Sequence, residues 1–560
     1  MRTGRLGSHV AVGVAAVLLA MGRINTFAWE PNVNDLDAAI KTGGFEAYLS
    51  NVTAWLNQKM PAGASGVTAE SMTALLKDPA FVNALDQRQF IAKCGVPNLN
   101  AFAKGDAVTP EFLAWVLKNT QVMDLFLEAV GPTPIAARDG NGYSISSDTL
   151  VIWRKIWSSD PNSREGIYLK LAMATAIAPP GSRSYGAGGS KESPAEPVGR
   201  YKLYKAAHKN HELFPSFDNL TVWEYTKVVS CHGSDRDITW ARDMINTWRP
   251  DLRIKEQVVG STSEVWRRAS PHGYTNGMPS VLDGGGKCGP RSSWAVFICQ
   301  AFGIPAIGVG QPAHACAAAR SAYPETQPQP GSIWKVHQGR GWDVSRLDGT
   351  SGTGFLEAVK ERALVPEFSQ IEHLRWLASA LTAKDAADAV RAAVNKIRES
   401  APVPPPAPAP APAPAVAEEP FKAVPGVIHV EAETFTNSFA EAAYPGEQKA
   451  CVFVHDCFTG GKQVYFQRNM TGAGVDYAID VPEAGTYGLA LRVAAVNFDQ
   501  VMDVSVGATK LATINIPNTT GLWTTTEPVD LRLNKGLQSL RISVPMQRGI
   551  ALRWFELKAK

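Results

Sequence analysis

Gly284-Gly-Gly-Lys-Cys288-Gly-Pro290, running into Arg-Ser-Ser-Trp-Ala-Val-Phe-Ile-Cys-Gln-Ala-Phe302, sets a cysteine at the mouth of a helix. Pro290 suits a first helical turn, where its missing N–H would have had no partner. Trp294, Phe297, Ile298, Ala301 and Phe302 recur at helical spacing, and Gly303 is a natural stop after the last turn. A thiol at such a helix start faces unpaired N–H groups and the positive end of the macrodipole, a setting suited to a nucleophilic sulfur. The glycines ahead of it allow close backbone approach to a bound molecule, and the Cys288 N–H is placed to bind a developing oxyanion.

The chain beyond this helix supplies a base. After Gly303-Ile-Pro305 comes a short apolar run, Ala306 to Val309; then Gln311-Pro-Ala-His314; then Gly341-Trp-Asp343-Val-Ser-Arg-Leu-Asp348-Gly. A lone cysteine or histidine is usually a packing residue. The two in this order, with a glycine-rich entry and an aspartate beyond, form a candidate catalytic set.

The order and spacing, over roughly Val265 to Asp348, resemble the transglutaminase-like superfamily of papain-type cysteine enzymes. The resemblance implies an α+β core in which the cysteine opens a helix, the histidine sits on the next strand and an aspartate on the strand after that. It implies Cys288 as nucleophile, His314 as general base and acid, and Asp348 as the residue that orients the imidazole, with Asp343 the alternative. Asp348 follows Trp342 by several residues and leads into Gly349-Thr350, as the family's strand-ending aspartate does. One departure is visible: Cys316 stands where members often carry an aromatic two residues after the histidine. No cofactor is required for such catalysis, and the implied substrate is a peptide or other amide.

The chain around this core is long. Its 560 residues, 45% hydrophobic and 19% charged, suffice for two or three globular domains. A net charge of +3 with no Lys/Arg cluster argues against nucleic acid as a partner. Arg2 and Arg5, the apolar run Val10 to Met21, and Thr26-Phe-Ala28 read as an export signal too short to span a bilayer. The expected location is secreted, extracellular or periplasmic, with no membrane span after signal removal. Seven cysteines leave at least one thiol unpaired, and Cys451 and Cys457 are close enough in sequence for a local disulfide.

Upstream of the core, Phe112-Leu-Ala-Trp-Val-Leu, Val122-Met-Asp-Leu-Phe-Leu, Leu150-Val-Ile-Trp and Ile167-Tyr-Leu-Lys-Leu-Ala have helical apolar spacing. Ser234 is a helix N-cap ahead of Thr239-Trp-Ala-Arg-Asp-Met-Ile. No chemistry is legible in residues 30–180. Downstream, residues 401–420 are Pro-Ala repeat, an extended spacer on the order of 60 Å. With no apolar face for docking, it predicts two ends that fold and work independently.

Beyond it come short alternating strands, among them Val427-Ile-His-Val-Glu431-Ala-Glu433, Tyr487-Gly-Leu-Ala-Leu-Arg-Val and Leu540-Arg-Ile-Ser-Val, divided by Gly, Pro and Asn turns. The motifs Glu431-Ala-Glu433, Val481-Pro-Glu-Ala-Gly-Thr-Tyr487, Thr519-Thr-Gly-Leu-Trp523-Thr-Thr and Trp554-Phe-Glu-Leu557 resemble, in their order, carbohydrate-binding modules of families 6 and 35. That implies a jelly-roll, galactose-binding-like β-sandwich, Trp523 as the ring that stacks on a sugar, Asn497 in a contributing loop, and Glu431 and Glu433 as ligands of a structural calcium. Arg553 stands where the family places a third carboxylate, a cation that opposes a divalent ion.

The expected organisation is therefore multidomain: signal peptide 1–28, helical region 29–200, transglutaminase-like catalytic core with flanking helices 201–400, Pro/Ala linker 401–420 and carbohydrate-binding β-sandwich 421–560. The expected function is a cysteine enzyme that hydrolyses an amide bond, as a protease or glycopeptide amidase, or transfers its acyl group, held to polysaccharide or glycoprotein glycans by its own module. The alternative is a non-catalytic carbohydrate-binding wall or extracellular protein with an inert transglutaminase-like scaffold.

Overall fold

A computed structural model of the chain describes residues 29–130, 147–180, 196–254, 257–268, 277–320, 334–337, 344–345, 351–364, 367–401, 424–440, 452–467, 472–545 and 549–560. The expected signal peptide, almost all of the Pro/Ala linker, Cys451, Asp343 and Asp348 lie outside the described residues. No described helix is long and apolar enough to cross a membrane.

The described residues ahead of the cysteine are mainly helical, as their spacing predicts. Local signals set the boundaries. Thr221 with Glu224, and Ser234 with Asp237, form capping boxes that open the Val222–Val229 and Asp235–Trp248 helices. The Cys288–Ala301 helix carries Pro290 in its first turn and stops ahead of Gly303, whose φ of 79° only glycine adopts freely. Trp294, Phe297, Ile298, Cys299 and Ala301 on this helix are fully buried.

After this helix comes a four-stranded antiparallel sheet: β1 (Ala306–Gln311), β2 (His314–Arg320), β3 (Trp334–His337) and β4 (Val344–Ser345), in spatial order β3-β2-β1-β4. Alternation divides its residues between two cores. Ala306, Ala317 and Ala319 lie in the large core with the Cys288 helix, small side chains that let helix and strand approach closely. Ile307, Val309, Cys316 and Ala318 face the other way, into a separate cluster with Trp334, Val336 and Phe355.

The C-terminal strands form a sandwich. One sheet is built from β5 (Val427–Glu431), β7 (Val452–Asp456), β8 (Lys462–Phe466), β10 (Gly485–Ala495), β13 (Thr524–Thr525), β14 (Val529–Leu533) and β16 (Ile550–Ala559). The other contains β6 (Asn437–Ala440), β9 (Ala473–Val481), β11 (Gln500–Val506), β12 (Thr509–Ile516) and β15 (Gly536–Val544). Leu489, Leu491, Val493, Phe555 and Leu557 of the first sheet meet Val475, Tyr477, Val504, Leu540 and Ile542 of the second in a core of their own.

Hydrophobic packing crosses two of the expected boundaries. A single hydrophobic core runs from Leu36 through Tyr201 and Trp294 to Tyr465, Ala494, Val496 and Ala551, so no break falls at residue 200 and the sandwich is joined to the rest. Arg200 ties the first of these junctions, pairing with Asp235 at 2.6 Å and donating to the carbonyls of Val229, Cys231 and Gly233. The second junction is made by the sandwich itself. Tyr465 and Ala551 sit on the outer face of its first sheet, and that apolar patch docks where the spacer has none.

Candidate functional site

Cys288 begins its helix directly after Lys287 and is half-buried. Cys94, Cys231, Cys299, Cys316 and Cys457 are buried, so among the described cysteines it alone reaches the surface. Burial pushes the Cys231 thiol up to about 11 and that of Cys299 to about 12.

The glycines ahead of the cysteine have a different task from the one their sequence suggests. Gly285 has a φ of 60°, and a Cβ there would lie 2.1 Å from the Trp266 carbonyl oxygen. The next residue, Gly286, donates its N–H to that carbonyl at 2.7 Å, and a Cβ on it would meet Pro290 Cγ at 2.6 Å. Both are buried. They let the chain turn tightly beneath Trp266 and enter the helix, which holds Cys288 in place; they do not line a surface open to substrate.

His314 opens β2. The Cys288 helix is roughly 21 Å long at 1.5 Å per residue, and β1 spans roughly 20 Å at 3.3 Å per residue. Gln300, near the helix end, donates to the Ala306 carbonyl at 3.0 Å, fixing the start of β1 there. β1 packs along the helix as it returns, so the tight Pro312-Ala313 turn carries the start of β2 back toward the level of Cys288. In phase, however, His314 belongs with Cys316 and Ala318, which face the Phe355 cluster, and not with Ala317 and Ala319, which face the helix. The strand paired to β2 on its far side, β3, carries no aspartate, and β4, lying between Asp343 and Asp348 in sequence, pairs with β1 instead. A second histidine touches the helix: His232 Nε2 lies 3.0 Å from Ser293 Oγ, and burial with the Arg200 charge pulls its imidazole down to about 4.

The sandwich grips the segment leading to the cysteine. Asp283 accepts from the Asn497 N–H at 3.0 Å and from Asn518 Nδ2 at 3.0 Å. Burial pushes its carboxyl up to about 6, against the lowering effect of those two donors. Trp266, whose carbonyl holds Gly286, packs on Phe498 with ring centroids 5.2 Å apart. These residues give no sign of their role in the sequence because they act through contacts across some 230 residues of chain.

The same docking decides where the expected sugar residues lie. Asn497, with a φ of 80° and 6% exposed, points its Nδ2 at the Glu264 carbonyl, 3.4 Å away, so its side chain belongs to the interface. Trp523 is half-buried against the shared core. Of the expected calcium ligands, Glu431 is 3.2 Å from His429 Nε2, and Glu433 has a buried Oε2 without a hydrogen-bond partner. Among the described residues no third His, Cys, Asp or Glu joins them in a cluster, and Arg553 turns instead to the Cys457–Lys462 loop, donating to the Lys462 and Gly460 carbonyls.

No family model matches the chain, and no curated protein matches it. Among solved structures, the C-terminal family 6 carbohydrate-binding module of a marine laminarinase from Zobellia galactanivorans is 22% identical over 24% of this chain and 98% of its own, with a TM-score of 0.20. A carbohydrate-binding module of lichenase 5A from Cellvibrio mixtus, in complex with cellotriose, is 24% identical over 24% of this chain and 97% of its own, TM-score 0.20. A family 35 module from Clostridium thermocellum is 18% identical over 24% and 98%, TM-score 0.19. It is the C-terminal region that resembles these modules.

Proposed function

We propose that the chain is an exported cysteine enzyme of transglutaminase-like type that attacks an amide bond, hydrolysing it or passing the acyl group to an amine. The observation that carries the reading is Cys288 itself: half-buried at the first residue of a buried helix, on a two-glycine turn that tolerates no side chain, while the other described cysteines are buried. In this reading Cys288 sulfur, its proton taken by His314, adds to the carbonyl, with the Cys288 N–H helping to hold the oxyanion. His314 returns the proton to the leaving amine as the C–N bond breaks. Water, deprotonated by the same imidazole, then cleaves the thioester and frees the thiol. Asp348, or Asp343 as the alternative, orients the imidazole. Selective alkylation of Cys288 by iodoacetamide at neutral pH is the expected result, read by peptide mass spectrometry. Equal labelling of a buried cysteine, or none at Cys288, would end this reading.

A second reading has its own support. The phase of His314 along β2 favours an inert scaffold in a carbohydrate-binding extracellular protein, because a base must face its nucleophile. Both readings keep the sandwich as a sugar-binding module, on the strength of its motifs and with the solved modules it resembles bearing that name. Trp523 remains the stacking residue in them, and Asn497 drops out. Affinity electrophoresis of the full chain through xylan, β-glucan, pectin and mannan gels is expected to show retardation by one of them and its loss in Trp523→Ala. Unretarded migration in every gel would remove the sugar from the proposal.

A further inference from the structure

Three helices far apart in sequence bring together one imidazole and two carboxylates that the sequence does not single out. Asp86 lies on the Pro79–Cys94 helix, Asp124 on the Thr120–Val130 helix and His373 on the Glu367–Ala380 helix. His373 Nε2 is 3.0 Å from Asp86 Oδ1 and 3.1 Å from Asp124 Oδ1. One atom from each residue falls within 4.8 Å of the others.

Distances alone would also fit an imidazolium held between two carboxylates. The alignment argues otherwise. Neither contact is directed as an N–H···O hydrogen bond, and His373 Nε2, Asp124 Oδ1 and both oxygens of Asp86 have no hydrogen-bond partner. Asp86 is fully buried, and a buried carboxylate that accepts nothing is costly. The other ring nitrogen is committed: His373 Nδ1 is 2.7 Å from the Ser369 carbonyl, an oxygen that can only accept, so Nδ1 carries a proton. In the neutral ring that leaves the Nε2 lone pair aimed between the two oxygens. A backbone carbonyl fixing the far nitrogen is how metal-binding histidines are oriented.

Ligands about 2.0–2.1 Å from one ion, at angles between square and tetrahedral, lie about 2.9–3.4 Å from each other. Both measured separations fall in that interval. The formal charges agree: two carboxylates and a dication with neutral imidazole sum to zero, whereas an imidazolium leaves one negative charge over. Glu372, next in sequence, is already paired with Arg375 at 2.6 Å. One nitrogen with two oxygens suits a divalent ion of the zinc class better than the all-oxygen cages that calcium requires. The Asp124 side chain, 23% exposed, marks the side from which water can complete the coordination.

We propose that Asp86, Asp124 and His373 bind one divalent transition-metal ion, with zinc the expected occupant, and that this ion fastens the N-terminal helices to the Glu367–Ala380 helix. The test uses the full chain, stripped by a chelator and titrated calorimetrically with Zn²⁺ alone, then with Co²⁺ followed by absorption. One equivalent should bind in the parent and equally in Cys288→Ser. The Co²⁺ bands should lack the sulfur-to-metal charge transfer of a cysteine site. Asp124→Asn, at the most exposed ligand and therefore the variant safest for folding, should weaken binding by about 10-fold or more, and His373→Gln should do at least as much if circular dichroism shows it folded. No uptake by the parent, or uptake unchanged in Asp124→Asn, overturns the proposal and leaves an ion triad.

Discussion

Cys288→Ala is expected to lose amide hydrolysis or acyl transfer by a factor on the order of 10⁴ or more, as loss of the nucleophile does where it acts as a unit with its base. The substitution should leave thermal stability nearly unchanged, because the side chain is small, half-buried and followed by a helix whose core residues are untouched. His314→Ala should match it within about 10-fold if the two residues form one machine. Both variants and the parent would be compared on a panel of glycopeptides and cell-wall peptides, with melting curves recorded alongside. Full activity without Cys288 would refute nucleophilic catalysis by this thiol. A Cys288 that matters beside a His314 that does not would point to a different base and agree with the phase of β2.

How much of this is legible in the sequence depends on how local each cause is. The helix at Cys288, its stop at Gly303 and the cap at Ser234 follow from residues within one or two turns of the feature, whereas the strand opening on His314 is expected from the resemblance alone. The sandwich is legible too, because period-two alternation and turn residues declare themselves strand by strand. Partnerships are not. Asp283 carries no local mark of the contacts that Asn497 and Asn518 make with it, and Gly285 reads as room for a substrate until the Trp266 carbonyl is found to fill that room. Asp86 and His373 sit in helices whose sequences carry no local sign of a site, and nothing short of the fold brings them to 3.0 Å. The Pro/Ala repeat is silent for a related reason: a spacer with no apolar face says nothing about whether the domains it joins have one.

That face gives the other large effect. Trp248 is fully buried, donates its Nε1 hydrogen to the Gly549 carbonyl at 2.8 Å and meets the Tyr465 ring edge-on at 6.1 Å. Around it Gln463 Nε2 donates to the Trp248 carbonyl at 3.2 Å, Arg249 covers Tyr465 at 4.7 Å, and the Tyr465 hydroxyl donates to Glu264, 3% exposed, at 3.2 Å. Removing such a ring costs about 3–5 kcal/mol, so Trp248→Ala should lower the melting temperature of the full chain measurably. Ending the chain near Ala401 should do more. It uncovers Trp248, and it leaves Glu264 and Arg249 with one another at 3.3 Å but without Tyr465 above them. Such a fragment should be aggregation-prone and melt well below the parent, or without a cooperative transition. Calorimetry separates this from the independence that the spacer alone predicts: a joined body gives one coupled transition, shifted by Trp248→Ala, while two independent domains give two, each reproduced by its own fragment. A fragment ending near Ala401 that melts as the parent does would show that the sandwich lends the N-terminal part no stability, and that the contacts at Trp248 are incidental to the fold.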